Sequence, residues 1–323
     1  MLNSFKTQLN RGAQHIATHY YWTLRAVLFF ILYCAWVWLI NVLNLSFVTY
    51  FLMSSQTRFD QIGELFSTQR LFFVGFGAFA FVILLWILRP FATSPWADLF
   101  TRTRLERHFF PGLSKGIIIG AGIAITFWLT GFYRYLGIIV DLSNFPQEAI
   151  KGSSKIVAIT LFVLAEEYIF RKKILGFLLR EHSVGVSVAI SAVLYCIVKG
   201  IQFDLGILDY LSLILVGLLL GVTSYFSGDT LKGSGMWIGI LVVFHPVLSL
   251  PIFGIQGSGI MLLKYSYENQ IFDWTLRFLT GGIGGPISSF SFQFVLAVNV
   301  SYLYVKNRSS LFRTPTSVGL EQN

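Results

Sequence analysis

Glu166, Glu167 and Arg171 lie inside an apolar stretch, Leu164-Ala165-Glu166-Glu167-Tyr168-Ile169-Phe170-Arg171, approached through mostly apolar residues from Ile156. An ionised carboxylate at membrane depth costs roughly 3 kcal/mol or more, so it persists only with a partner or a chemical task. On a helix, Glu167 and Arg171 are four apart and face each other, so the guanidinium neutralises that carboxylate. Glu166 lies roughly 100° round the helix and points at a different neighbour, free for a pocket. The purely structural alternative is that salt bridges fix both carboxylates and only position helices. His245 lies in a second apolar run, Phe244-His245-Pro246-Val247-Leu248-Ser249. A lone intramembrane histidine is most often a satisfied packing residue. A glutamate and a histidine in one apolar bundle are nevertheless the minimum for activating water, with the carboxylate as base and the imidazole as donor or metal ligand. Ser249, one helical turn on, would share the His245 face and could donate a hydrogen bond.

These residues need a membrane to hold them. The chain has 323 residues, of which 55% are hydrophobic and 12% charged, and it carries 32 Phe. Soluble domains are about 25% charged. With a mean hydropathy of +0.69, the expected class is an all-α, polytopic membrane bundle. Helical spans are favoured over a barrel because the apolar runs are continuous rather than alternating. The net charge of +9 sits in the loops, where it points to topology and anionic lipid headgroups and not to nucleic acid. Cys34 and Cys196 fall within apolar spans and read as small buried side chains, with neither disulfide nor metal duty.

Hydropathy predicts about eight transmembrane helices, near Val27–Val48, Leu71–Leu88, Gly116–Gly137, Ile156–Leu179, Val184–Gln202, Leu208–Ser227, Met236–Pro251 and Ser289–Val305. The first is too long for a signal-peptide core and no cleavage site follows it, so it reads as an uncleaved anchor. Pro246 should kink the seventh. Placing the N-terminus inside puts 16 of the 24 Lys and Arg residues on that side. This bias predicts both termini in the cytoplasm; the expected setting is a bacterial cytoplasmic membrane, and an organellar membrane fits the sequence equally. The sequence divides into an N-terminal transmembrane region over 1–155, a core over 156–251, and a long loop, last span and polar tail over 252–323.

Small residues at four-residue spacing, Gly116/Gly120 and Gly217/Gly221, predict close helix approach. Residues 89–115, with Pro90, Pro95 and Pro111, read as a basic connector. Residues 252–288 read as an interfacial or re-entrant segment. Gly281-Gly282-Ile283-Gly284-Gly285-Pro286 resembles a phosphate loop in composition only; it lacks the lysine and the strand–turn–helix context. The tail from Asn307 is polar and expected to lack structure.

The pattern Glu-Glu-x-x-x-Arg at Glu166, Glu167 and Arg171 resembles the first motif of the CAAX-protease and bacteriocin-processing (CPBP) family of intramembrane peptidases. The resemblance runs from about Ile156 to Pro251. It includes Gly217, Gly221 and Tyr225, then Ser234-Gly235-Met236-Trp237 leading to His245. The family's second motif, Phe-x-x-x-His, falls at Tyr195-Cys196-Ile197-Val198-Lys199, so lysine stands where the family has histidine. In the third motif His245 is present, and Ser249 replaces Asn or Asp. The resemblance implies Glu166 as the water-activating base, His245 as an oxyanion donor, Lys199 at the activating-histidine position and Ser249 as a weaker donor. Tyr195, Glu167 and Arg171 would orient them.

Lysine at position 199 has two readings. As an ammonium it would pair with Glu166 and satisfy both charges. Desolvated and neutral, it would itself serve as base. A protonated lysine does not ligate metal, so no cofactor is expected and a divalent metal is disfavoured. Three functions follow. The first is a membrane endopeptidase cutting a membrane-proximal or lipid-modified peptide. The second is a catalytically impaired relative that binds a hydrophobic segment as scaffold or chaperone. The third is a small transporter relaying protons through a Glu–Lys pair; it ranks last because no inverted repeat is visible. The partners implied are the lipid bilayer and a hydrophobic or lipid-modified peptide or membrane protein, with no nucleic acid.

Overall fold

A computed structural model describes residues 20–54, 59–88, 101–138, 145–255, 257, 259–266 and 274–307. They are mostly helical. In chain order the main helices are α1 (Tyr21–Ser54), α2 (Phe59–Leu88), α3 (Phe110–Leu129), α4 (Phe145–Glu167), α5 (Leu175–Leu178), α6 (Val184–Gln202), α7 (Ile207–Ser227), α8 (Leu231–Val242), α9 (Trp274–Thr280) and α10 (Phe290–Lys306). Among the described residues, five stretches are long and apolar enough to cross a membrane: Tyr21–Tyr50, Gln69–Ile87, Leu105–Leu129, Val184–Gln202 and Ile207–Ser227. A shorter apolar helix covers Leu231–Val247. The protein is therefore a polytopic helical membrane protein. The stretch around the Glu pair is helical too, but it is more densely charged than these five apolar spans.

Wider π turns interrupt three helical stretches. Leu105–Phe109 leads into α3, Tyr168–Ile174 joins α4 to α5, and Val243–Val247 ends α8. The basic connector is accordingly helical in its second half, with Pro111 in the first turn of α3, where its missing N–H costs nothing. Pro90 and Pro95 lie outside the described residues, as does the tail beyond Asn307.

The third span begins and ends earlier than its hydropathy predicts. Helix α3 stops at Leu129 because Gly131 takes a left-handed conformation, φ +78°, which terminates a helix. The residues up to Ile138 form β1 (Tyr133–Ile138), which pairs antiparallel with β2 (Met261–Tyr265). An all-helical expectation thus misses one small ribbon. Part of the 252–288 segment is used to build it. At the other end of the chain, Ser289 caps α10 by accepting the Phe292 N–H at 3.2 Å.

Helix α3 packs along α8, α6 along α7, and α2 along α4, with α10 against α7. The glycine spacing explains two of these pairs. A Cβ at Gly116 would run into the Met236 backbone, and one at Gly217 would lie 2.9 Å from Ala192 Cα. The buried interior is rich in aromatic rings, among them Phe29, Tyr33, Phe162, Phe170, Tyr195 and Trp237. Large apolar side chains such as Leu24, Trp38, Leu45, Ile118 and Leu129 face outward, as a lipid environment allows and water does not. Cys34 and Cys196 are both free thiols, and Cys196 is buried.

Candidate functional site

Helices α4 and α6 bring the key charges together. Glu166 is the last residue but one of α4, and Lys199 sits near the end of α6, three residues before Gln202. The Lys199 ammonium hydrogen-bonds Glu166 Oε2. Gln202 Nε2 donates to Glu166 Oε1 at 2.8 Å, and the Tyr33 hydroxyl reaches the same oxygen at 3.5 Å. Glu166 is 1% exposed and Lys199 0%, so neither charge reaches solvent. An ion pair this deep survives desolvation only if its remaining hydrogen-bonding positions are filled; both carboxylate oxygens are.

Aromatic rings enclose the ammonium. Lys199 Nζ lies 3.5 Å from the Phe162 ring centre, 5.0 Å from Tyr195, 5.5 Å from Phe253 and 5.6 Å from Phe203. Their π faces favour the charged form of lysine. Phe203 and Phe253 stack at 5.0 Å between centres. Phe253 is placed there by a tight turn, closed by the Ile252–Ile255 bridge, in which it adopts φ +53°. A bulky residue at positive φ is uncommon and is held only by its surroundings.

The second glutamate has a separate neighbourhood. Glu167 Oε1 and Arg171 Nε are 3.5 Å apart, both buried. Arg171 donates to Ser191 Oγ at 3.0 Å, and Ser191 donates in turn to the Phe170 carbonyl at 3.1 Å. The guanidinium also lies 5.3 Å from the Tyr195 ring centre. The Tyr195 ring is therefore within reach of both cations, Arg171 and Lys199.

His245 and Ser249 lie at and just beyond the end of α8, whose π turn packs against α4. His245 is 1% exposed within the π turn that ends α8. Among the described residues, no hydrogen bond or ion pair joins it to Glu166, and its Nδ1 has no hydrogen-bond partner. Ser249 falls beyond the helix end, at φ +53°, and so is not one helical turn from His245. Its Oγ accepts the Gly259 N–H at 2.7 Å, which ties the following loop down.

The residues that sequence reasoning misses are Gln202, Tyr33 and the aromatic enclosure. Gln202 was recoverable, since it follows Lys199 by three on the same helix and shares its face. Phe162 was recoverable in the same way, four residues before Glu166. Tyr33 and Phe253 arrive from distant parts of the chain and leave no local signal. Among the described residues, no three His, Cys, Asp or Glu side chains gather as a metal would require. The site's own donor set does not fit one either: an ammonium occupies the position opposite Glu166, and a protonated lysine has no lone pair to offer.

Residues 153–250 match a family model described as type II CAAX prenyl endopeptidase Rce1-like. No curated protein and no solved structure matches the chain. The matched stretch begins within α4, takes in both charge pairs and runs through α6, α7 and α8 to just past His245. Through that stretch, the chain is similar to the Rce1-like family of membrane proteins.

Proposed function

We propose that this protein is a non-hydrolysing Rce1-like relative that holds a hydrophobic or lipid-modified segment in the membrane without cutting it. The supporting observation is the buried Glu166–Lys199 pair. A carboxylate activates water only when an oxygen is free to take the proton. Here Lys199 donates to one oxygen, and Gln202 and Tyr33 donate to the other, so three protein donors compete with a water for the carboxylate's lone pairs.

A second reading has one observation in its favour. The unpartnered Nδ1 of buried His245 is an unused polar position of the kind found at working sites. In that reading the site opens, Glu166 acts as base and His245 steadies the oxyanion.

Cleavage separates the two. Purified protein in detergent is incubated with quenched-fluorescent, lipid-modified peptides, comparing wild type, Glu166→Ala and Lys199→His, while retention of a labelled lipidated peptide is followed in parallel. Binding without cleavage by wild type is the expected result. Cleavage by wild type that is lost in Glu166→Ala would overturn the proposal and establish the peptidase reading. Cleavage gained only in Lys199→His would place the silencing at position 199.

A further inference from the structure

Where α6 ends and α7 begins, the chain walls a cavity of about 340 Å³. The glycine run that resembles a phosphate loop in composition has its structural place here, because Gly281, Gly282 and Gly284 form one wall. Glycines put main chain rather than side chains at such a surface. Hydrogen bonds fix this wall. Tyr265 of the ribbon donates to the Gly282 carbonyl at 2.7 Å, and Ser288 donates to Asp209, which also accepts the Gly206 N–H at 2.9 Å. The glycine run is thereby tied to the start of α7.

Another part of the wall, at Asp204 and Gly254, is built differently. Phe203 is extended, with φ −132° and ψ 157°, so its side chain and that of Asp204 leave the backbone on opposite sides. Phe253 precedes Gly254 in the turn closed by the Ile252–Ile255 bridge, and both central residues are left-handed, φ +53° and +75°. That geometry suits Gly, Asn or Asp. A phenylalanine keeps it only because its ring is held, stacked on Phe203 and edge-on to Trp237 at 6.2 Å between centres. The same two phenylalanine rings border the Lys199 ammonium. Phe203 and Phe253 therefore face the buried pair, while the residues next to them face the cavity. Their stack is the partition between the two.

We propose that this cavity is the entrance by which the polypeptide part of a bound segment reaches Glu166 and Lys199, and that the stacked Phe203 and Phe253 rings are its gate. Closed, the gate keeps an ammonium and a carboxylate dry, at a desolvation cost, and holds Phe253 in a conformation its side chain disfavours. Swinging the Phe253 ring aside relieves both and opens the pair to the cavity. Closing restores the stack and the cation–π contacts. An extended peptide is the occupant these walls suit, because main-chain groups beside glycines can pair with another main chain. An acyl chain would gain nothing from them. The entrance rests on the reading above that the pair belongs to a binding site, and is indifferent to hydrolysis.

Reductive methylation of lysines in the full chain in detergent, read residue by residue by mass spectrometry, tests the gate. In wild type, Lys199 is expected to stay unmodified while the exposed Lys232 reacts to completion. Phe253→Gly keeps the left-handed turn and removes only the ring, so Lys199 should lose its protection and react to the extent of Lys232. Phe292→Ala removes another buried ring packed on Trp237 and should leave Lys199 protected. Adding Ile207→Trp, at the exposed mouth of the cavity, should restore protection to Phe253→Gly. Continued protection in Phe253→Gly would overturn the gate. So would equal modification in Phe292→Ala, which would mean general loosening. Modification of Phe253→Gly that Ile207→Trp leaves unchanged would overturn the route. Retention of a labelled lipidated peptide by the same variants separates the entrance from the reading it rests on. Retention that Ile207→Trp leaves at the wild-type level removes the entrance alone. Retention absent from every variant, Phe253→Gly included, removes the binding reading and the entrance with it.

Discussion

Removing Lys199 would leave the Glu166 carboxylate buried with only the neutral donors Gln202 and Tyr33. Breaking a buried pair by deleting one partner costs about 3–5 kcal/mol, whereas replacing both partners with neutral groups is often neutral or stabilising. Lys199→Met should therefore destabilise the protein by about that amount, and Glu166→Gln/Lys199→Met should recover most of it. Unfolding in mixed micelles, followed by tryptophan fluorescence, reads both. If the pair instead serves hydrolysis and stability is indifferent to it, the single and double variants will unfold alike. The site was only partly legible at this scale. Glu166, Glu167 and Arg171 announced themselves as charges in an apolar run, and the four-residue spacing gave their internal pairing. The partner of Glu166 came from comparing position 199 with the family's pattern, not from local chemistry. Gln202 shares a helix face with Lys199 and could have been named; Tyr33, 133 residues from Glu166, could not.

The elements are held in register by contacts that no periodicity records. The start of α1 is capped from far along the chain: Glu181, in the turn between α5 and α6, accepts the Trp22 N–H at 2.7 Å and the Thr23 N–H at 3.0 Å, and also the Thr23 hydroxyl. Partial burial works to raise the Glu181 carboxyl, but the Thr23 side chain, the two backbone N–H groups and neighbouring His182 outweigh it and hold the group below its ordinary value. A depressed carboxyl contributes stability above its unfolded pKa and loses it as pH falls through the folded one. Glu181→Ala should thus cost about 1 kcal/mol at pH 7, in the range of a lost helix cap. The gap between variant and wild type should close as the pH drops below about 4.3, the ordinary glutamate value; a gap that is constant with pH would mean Glu181 acts by packing alone. Helix identities were legible because apolar runs of this length permit little else. The end of α3 was in principle legible too, from Thr130-Gly131. The π turns were not, because one extra residue per turn barely disturbs a hydrophobic pattern. Two of them nevertheless follow Glu167 and surround His245, the positions where such turns commonly mark function.

Across the whole molecule, cations and interfacial rings gather at one end of the bundle. Arg180 lies 3.8 Å from the Trp22 ring centre, Arg25 packs over the same ring at 5.2 Å, and Lys306 reaches Tyr302 at 5.8 Å. The turn between α7 and α8 belongs to this end, since Arg104 approaches Asp229 at 4.0 Å and Gly112 packs on Lys232. The C-terminal part of α10 belongs there as well, with Leu303 against Val184, Val188 and Val222. The β ribbon occupies the opposite end. Lys and Arg in short loops set orientation by staying on the cytoplasmic side, and 16 of the 24 fall on the side of the α1 start when the spans are threaded in order. The orientation this predicts has the α7–α8 turn inside and the ribbon outside. Cys34 and Cys196 lie within the spans, so one added cysteine reports cleanly on each end. On intact cells, a membrane-impermeant maleimide should label Leu136→Cys and spare Lys232→Cys until the membrane is opened. The reverse pattern would invert the molecule.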